Sequence, residues 1–269
     1  MLVMLAPSFD GTNDSYARLA HATGMVAYDL KSRVKPGVWG IVRALADEGQ
    51  ATELTRRLRA DGFPAFVVPR EVAHDPVRRM VTIRSLAIRD AELVLHLRER
   101  EMPIPFGALS CIVRGEVQLG QVPGRSLTPG SSSSTFRAVV PSTADVQVFR
   151  ESLPVSNFEA FAAADLHFAT VLWIARIDAR SFDFAALDQR SESPAQDLDR
   201  LVDLLAERAG VRVDRGVRAS SVVSVLLQSG NRSLAPASRE AQSDERFDPY
   251  SRVIGEAERL FAQTRNVER

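Results

Sequence analysis

One cysteine, two lysines and no net charge are the scarcities of this chain, and each closes off a class of function. Cys111 stands alone. No internal disulfide can form, and no multi-thiolate zinc or iron–sulfur centre can be assembled from it. The fold therefore does not depend on an oxidising compartment. With 34 basic and 34 acidic residues, the chain has no surplus positive charge to neutralise a phosphate backbone, so its overall electrostatics do not favour nucleic acid. Lys31 and Lys35 are the only lysines. Nearly all the basic charge is arginine, a bias that a GC-rich genome accounts for.

Long apolar runs are also missing. None approaches the ~20 residues that span a bilayer. The opening Met1–Pro7 is apolar but short, without a basic flank or a small-residue cleavage site, so the expectation is a soluble, cytoplasmic chain with no signal peptide. No Walker A loop, dinucleotide glycine fingerprint, Gly-x-Ser-x-Gly elbow or kinase signature is present. His21, His74, His96 and His167 show no two-ligand helical spacing. No metal site and no cofactor are expected.

What is there reads as an α+β protein of two lobes. The composition, 45% hydrophobic and 25% charged over 269 residues, is ordinary for a globular chain. Its clearest local unit begins with a strand over Val38–Leu45. Asp47 then caps a helix, with Gln50 three residues on to complete a capping box, and Ala51, Leu54 and Leu58 follow at helical spacing. Asp61-Gly62 stops the helix, and Phe63–Val68 forms a second strand. Strand, helix and strand make a βαβ-type unit, with a right-handed crossover if the strands are parallel neighbours.

Ala51, Leu54, Leu58, Gly62, Phe63, Pro64, Ala65, Phe66 and Val67 carry a resemblance. Their pattern is similar to small ferredoxin-like modules, among them bacterial SPOR domains and signal-transducing modules of PII-like fold. The matching positions are core and turn residues, so the resemblance implies a fold unit and carries no activity. SPOR domains act on cell-wall glycan, a role that requires export.

The N-terminal lobe, residues 1–120, continues as β-rich structure, with strands predicted over Met80–Ile83, Ala91–Leu97 and Leu109–Leu119. Gln121–Thr135 is rich in Gly, Pro and Ser and reads as a linker or exposed loop. The C-terminal lobe, residues 136–269, is expected to be α+β with two amphipathic helices. One is capped by Ser193, with Pro194 and Gln196 behind it and Gly210 closing it. The other starts at Asp248-Pro249. Thr170–Phe184 is the most apolar strand candidate. Periodicity does not decide between strand and helix for 158–168 or for 217–229.

Chemistry has few places to sit. Asp10-Gly-Thr resembles the loop of haloacid-dehalogenase-like phosphatases, but Ser8 occupies the nucleophile position, so an Asx turn is the expectation. Asp10 and Asp14 lack the further oxygen ligands of a calcium loop. The basic clusters Arg56-Arg57-Arg59 and Arg78-Arg79-Arg84 are interleaved with acids and read as solvated faces. Cys111, in an apolar strand, reads as a buried thiol. Asp165 and His167 are the most informative pair. At i and i+2 of a strand they share a face, where a carboxylate could orient an imidazole, with Asp178 and Asp183 downstream. The sequence thus favours a non-catalytic interaction or regulatory module with a protein partner or self-association. The alternative is a hydrolase-type enzyme of unfamiliar class built on Asp165, His167 and Asp178.

Overall fold

The computed structural model describes residues 1–98, 100–119, 159–216, 222 and 247–267. Three sheets and five helices are found among them. The first sheet holds β1 (Leu2–Leu5), β2 (Gly40–Ala44) and β3 (Ala65–Val68) in the order β2-β1-β3. All four residues of β1 are buried, as a central strand covered on both faces requires. β1 runs antiparallel to both neighbours, so β2 and β3 are parallel to each other but separated by it. The helix between them, α3 (Glu48–Ala60), crosses over β1. The expected strand–helix–strand unit is present, therefore, but its strands are not neighbours. The Asp47 carboxylate accepts from the Gln50 amide at 2.6 Å, as the capping pattern predicts.

Helices α1 (Asn13–Thr23) and α2 (Ala27–Arg33) join α3 on one face of this sheet. Val3 and Leu5 pack there against Leu19, Leu30, Leu54 and Leu58. Helix α1 ends at Gly24, with φ of 66°, a left-handed conformation that glycine adopts without strain.

The second sheet has five strands, ordered β11-β8-β9-β10-β4. These are β4 (Met80–Ile83), β8 (Leu109–Leu119), β9 (Glu159–Phe168), β10 (Ile174–Asp178) and β11 (Arg212–Asp214). Its centre, β8-β9-β10, is antiparallel, and β4 and β11 add in parallel at the edges. Residues 158–168, ambiguous in sequence, are strand from Glu159 onward. Strands β5 (Ser85–Ile88), β6 (Glu92–His96) and β7 (Glu101–Pro105) form the third sheet, an antiparallel meander.

One face of the five-stranded sheet is covered by α4 (Pro194–Ala209), whose Leu198, Leu201, Val202 and Leu205 pack with Ile112, Leu166 and Ile177. Each such side chain contributes roughly 1.5–3 kcal/mol relative to leaving it in water. The other face is covered by α5 (Phe247–Val267), which lies between this sheet and the first one. Val253, Ile254 and Ala257 meet Met4, Phe66 and Val68 on one side and Cys111, Val113 and Ala163 on the other.

Two expectations, on Thr170–Phe184 and Ser193, are corrected, and the two-lobe arrangement is not confirmed. β4 and β8, from residues 1–120, share a sheet with β9, β10 and β11, and α5 shares a core with β1 and β3. Described parts of the chain on either side of 121–135 thus share a sheet and a core; that segment itself lies outside the described residues. Thr170–Phe184 is strand only over Ile174–Asp178, because Asp178 O accepts turn bonds from the Ser181 and Phe182 amides. Ser193 makes no side-chain cap; Asp197 reaches back instead and accepts from the Ser191 amide at 2.7 Å. Of 217–229 only Val222 is described. Among the described residues, no helix is long and apolar enough to cross a membrane.

Candidate functional site

Strand alternation in β9 turns Ala163, Asp165 and His167 toward α5, while Ala162, Ala164 and Leu166 face α4. Across the ladder, Arg176 of β10 pairs in register with Asp165. Its Nε and Nη2 each donate to one Asp165 oxygen at 2.7 Å, a bidentate fork. Its Nη1 donates to Asp248 of α5 at 2.6 Å, and its guanidinium lies 5.0 Å from the centre of the Phe247 ring. Burial works against the Arg176 charge, yet Asp165 and Asp248 hold its pKa above the ordinary arginine value. Asp165 is fully buried.

The His167 ring lies against the backbone of α5 at Gly255, where any Cβ would run into the imidazole Nδ1. Its Nε2 is 2.9 Å from Ser251 Oγ. Burial pushes its pKa down to about 4; Asp165 opposes this, and Arg78 and Arg176 reinforce it. His167 is therefore neutral at neutral pH.

Ser251, His167 and Asp165 are residue types that nucleophilic catalysis uses, and the serine–imidazole distance is within its range. Two features set this arrangement apart from a working triad. Both Asp165 oxygens are taken by Arg176, and no hydrogen bond joins Asp165 to His167 among the described contacts. Ser251 and Asp165 are fully buried and His167 is 5% exposed. Asp178 is not part of the group: its carboxylate binds the Arg180 amide and guanidinium at 2.8–3.1 Å. Asp183 pairs with Arg190. Asp10 makes the expected Asx turn, accepting from the Thr12 amide.

Three more polar groups seat α5. Tyr250 donates to Asp214 at 2.6 Å, and Gly216 N donates to the same oxygen at 2.9 Å. Trp39 Nε1 and Arg212 share one oxygen of Glu258, at 2.8 and 3.0 Å. Glu256 is clasped by Arg78 at 2.7 Å and by Arg259 at 2.6–2.8 Å. Arg78, one of the predicted basic clusters, is thus an internal tie. Cys111 is fully buried, and burial raises its thiol pKa well above the usual value. Arg176, Ser251, Asp214, Tyr250 and Glu258 are not singled out by the sequence. The only signal was the i, i+3 spacing of Asp248 and Ser251 ahead of an apolar helical stripe.

Asp165 and His167 line neither of the two grooves described. The larger, about 660 Å³, lies between α3, β3 and the last turns of α5, with Thr55, Arg56, Arg59, Phe66, Leu260 and Thr264 in its walls. The smaller, about 360 Å³, lies beside α4 at Leu187, Arg200 and Leu204. Among the described residues, no three His, Cys, Asp or Glu side chains are grouped to hold a metal ion. Comparison with models of known protein families, with curated proteins and with solved structures gives no match.

Proposed function

We propose that this chain is a non-catalytic interaction or regulatory protein, working through a protein partner or a second copy of itself. One observation carries the reading. The residues best suited to chemistry, Asp165, His167 and Ser251, are buried and spent on holding α5 in place. A catalytic pair must reach its substrate's reacting atom, and no described groove leads to this one. The crossover of α3 between parallel strands split by β1 supports the finer reading of a ferredoxin-like N-terminal unit. A cytoplasmic location is part of the same proposal.

The test is cross-linking and affinity capture from source lysate, with light scattering of the purified chain over a range of concentrations. A specific partner, or concentration-dependent self-association, is the expected outcome. A chain that stays monomeric and captures nothing overturns it.

A second reading keeps the Asp165–His167 region as a hydrolase centre. The 2.9 Å Ser251–His167 contact is the observation in its favour. Turnover of chromogenic esters that Ser251→Ala abolishes would establish it.

A further inference from the structure

We propose that the groove between α3, β3 and the end of α5 binds a small organic acid, an oxyanion head on a flat apolar body. The inference deepens the regulatory reading and rests on it only for its consequence, not for the binding itself.

The groove is built unevenly. Phe66, Val67 and Leu260 supply an apolar floor. Among the described residues, the polar part of the lining consists of arginines, threonines and Gln263, with no carboxylate. Arg56 is occupied by Glu53, at 2.8 Å. Arg59 is in no ion pair among the described residues. Its Nε donates to Ala65 O at 2.7 Å and its guanidinium stacks 4.8 Å from the Phe66 ring centre, which fixes the plane of the group. Among the described residues, its two terminal nitrogens have no acceptor. A guanidinium held in this way presents two parallel donors already oriented, the arrangement that carboxylates and phosphates take.

Thr55 is the second, independent observation. It is 5% exposed and lines the same groove, and its hydroxyl is buried with no hydrogen-bond partner among the described residues. Leaving such a group unpaired is costly, and native structures rarely do so without a reason. An acid seated over Phe66 supplies the acceptor that the terminal nitrogens of Arg59 lack, and a turn of Thr55 about its Cα–Cβ bond brings its buried hydroxyl to the same acceptor. The groove's volume is within the usual range for small-molecule sites. Beneath it, Trp39 sits edge-on to Phe66 at 5.9 Å, so occupancy has a built-in optical reporter.

The experiment is a fluorescence titration of the full chain carrying Trp173→Phe, which leaves Trp39 as the only indole. The probes are phenylacetate, phenyl phosphate and neutral benzyl alcohol. The expected result is a saturable change with at least one acid at low-millimolar or tighter concentration, about tenfold tighter than with benzyl alcohol. The tighter acid identifies the head group as carboxylate or phosphate. Arg59→Gln weakens that acid about tenfold. Thr55→Val weakens it too, yet raises the unliganded Tm by about 2–4 °C, because it removes an unpaired hydroxyl. No saturable change up to about 10 mM of either acid, equal binding of the alcohol, or unaltered binding by both variants overturns the site. Any of these outcomes leaves the regulatory reading to the partner experiment above.

Discussion

Arg176 holds both carboxylate oxygens of Asp165 at 2.7 Å from directly across the β9–β10 ladder. The pair is oriented by the sheet itself, since residues in register share a face. Arg176 then reaches on to Asp248, so the same guanidinium that satisfies β9 also binds the first turn of α5. Asp165, a candidate site residue in sequence, is thereby tied through Arg176 to the first turn of α5.

Removing Asp165 tests that seat. Asp165→Ala leaves a largely buried guanidinium with only Asp248, and breaking a buried pair in this way costs about 3–5 kcal/mol. Urea denaturation should show this loss. Replacing both partners, as Asp165→Leu with Arg176→Met, should recover much of it, because no buried charge is left unpaired. A loss under about 1 kcal/mol in the single variant, typical of an exposed pair, contradicts the assignment.

Gly255 predicts a change of sign. In an ordinary helix interior, Gly→Ala stabilises by about 1 kcal/mol. Here the added Cβ meets the His167 imidazole, so Gly255→Ala should destabilise by about 1–3 kcal/mol or more. Truncating the opposing ring, in Gly255→Ala with His167→Ala, should be less harmful than the two single costs added together. Additive costs would mean that the two residues do not touch.

His167 predicts a pH dependence. Its folded pKa is about 4, below the unfolded value near 6.5. In that window the unfolded chain binds the proton and the folded chain does not. Stability is therefore full above about pH 6.5 and falls as the pH drops toward about 4, by roughly 3 kcal/mol in all. His167→Phe should flatten this part of the curve of unfolding free energy against pH. Parallel curves for the two proteins would show that His167 is not the group responsible.

Cys111 predicts a slow thiol. It is fully buried on β8 in the core shared with α5, and its pKa is raised, so thiolate is scarce. Labelling by an aromatic disulfide reagent should wait for unfolding and accelerate with denaturant in step with it. Rapid, stoichiometric labelling of the native chain contradicts the packing.

Features written locally were legible in the sequence. The Asp47 cap, the stop at Gly210 and the bounds of β4 and β8 follow from adjacent residues. The shared face of Asp165 and His167 follows from strand period only once 159–168 is strand, a choice that periodicity left open. Pairings between distant segments were not legible. Nothing near β1 announces that it lies between β2 and β3, and nothing near residue 120 announces that β8 pairs with β9 across it. The partners of Asp165 and His167 were not legible for the same reason. Ser251 is 84 positions from His167 and Asp248 is 72 from Arg176, so both partners come from a helix that reads locally as a surface amphipath. It is in fact buried between two sheets, and its polar residues are satisfied from both sides.

Ser251→Ala, assayed for stability and for hydrolysis on the same samples, tests the central claim most directly. If Ser251 and His167 are fastenings, the variant loses about 1–2 kcal/mol in urea unfolding, and neither protein turns over chromogenic esters above the buffer rate. Wild-type turnover that vanishes in a variant of unchanged stability would contradict the account.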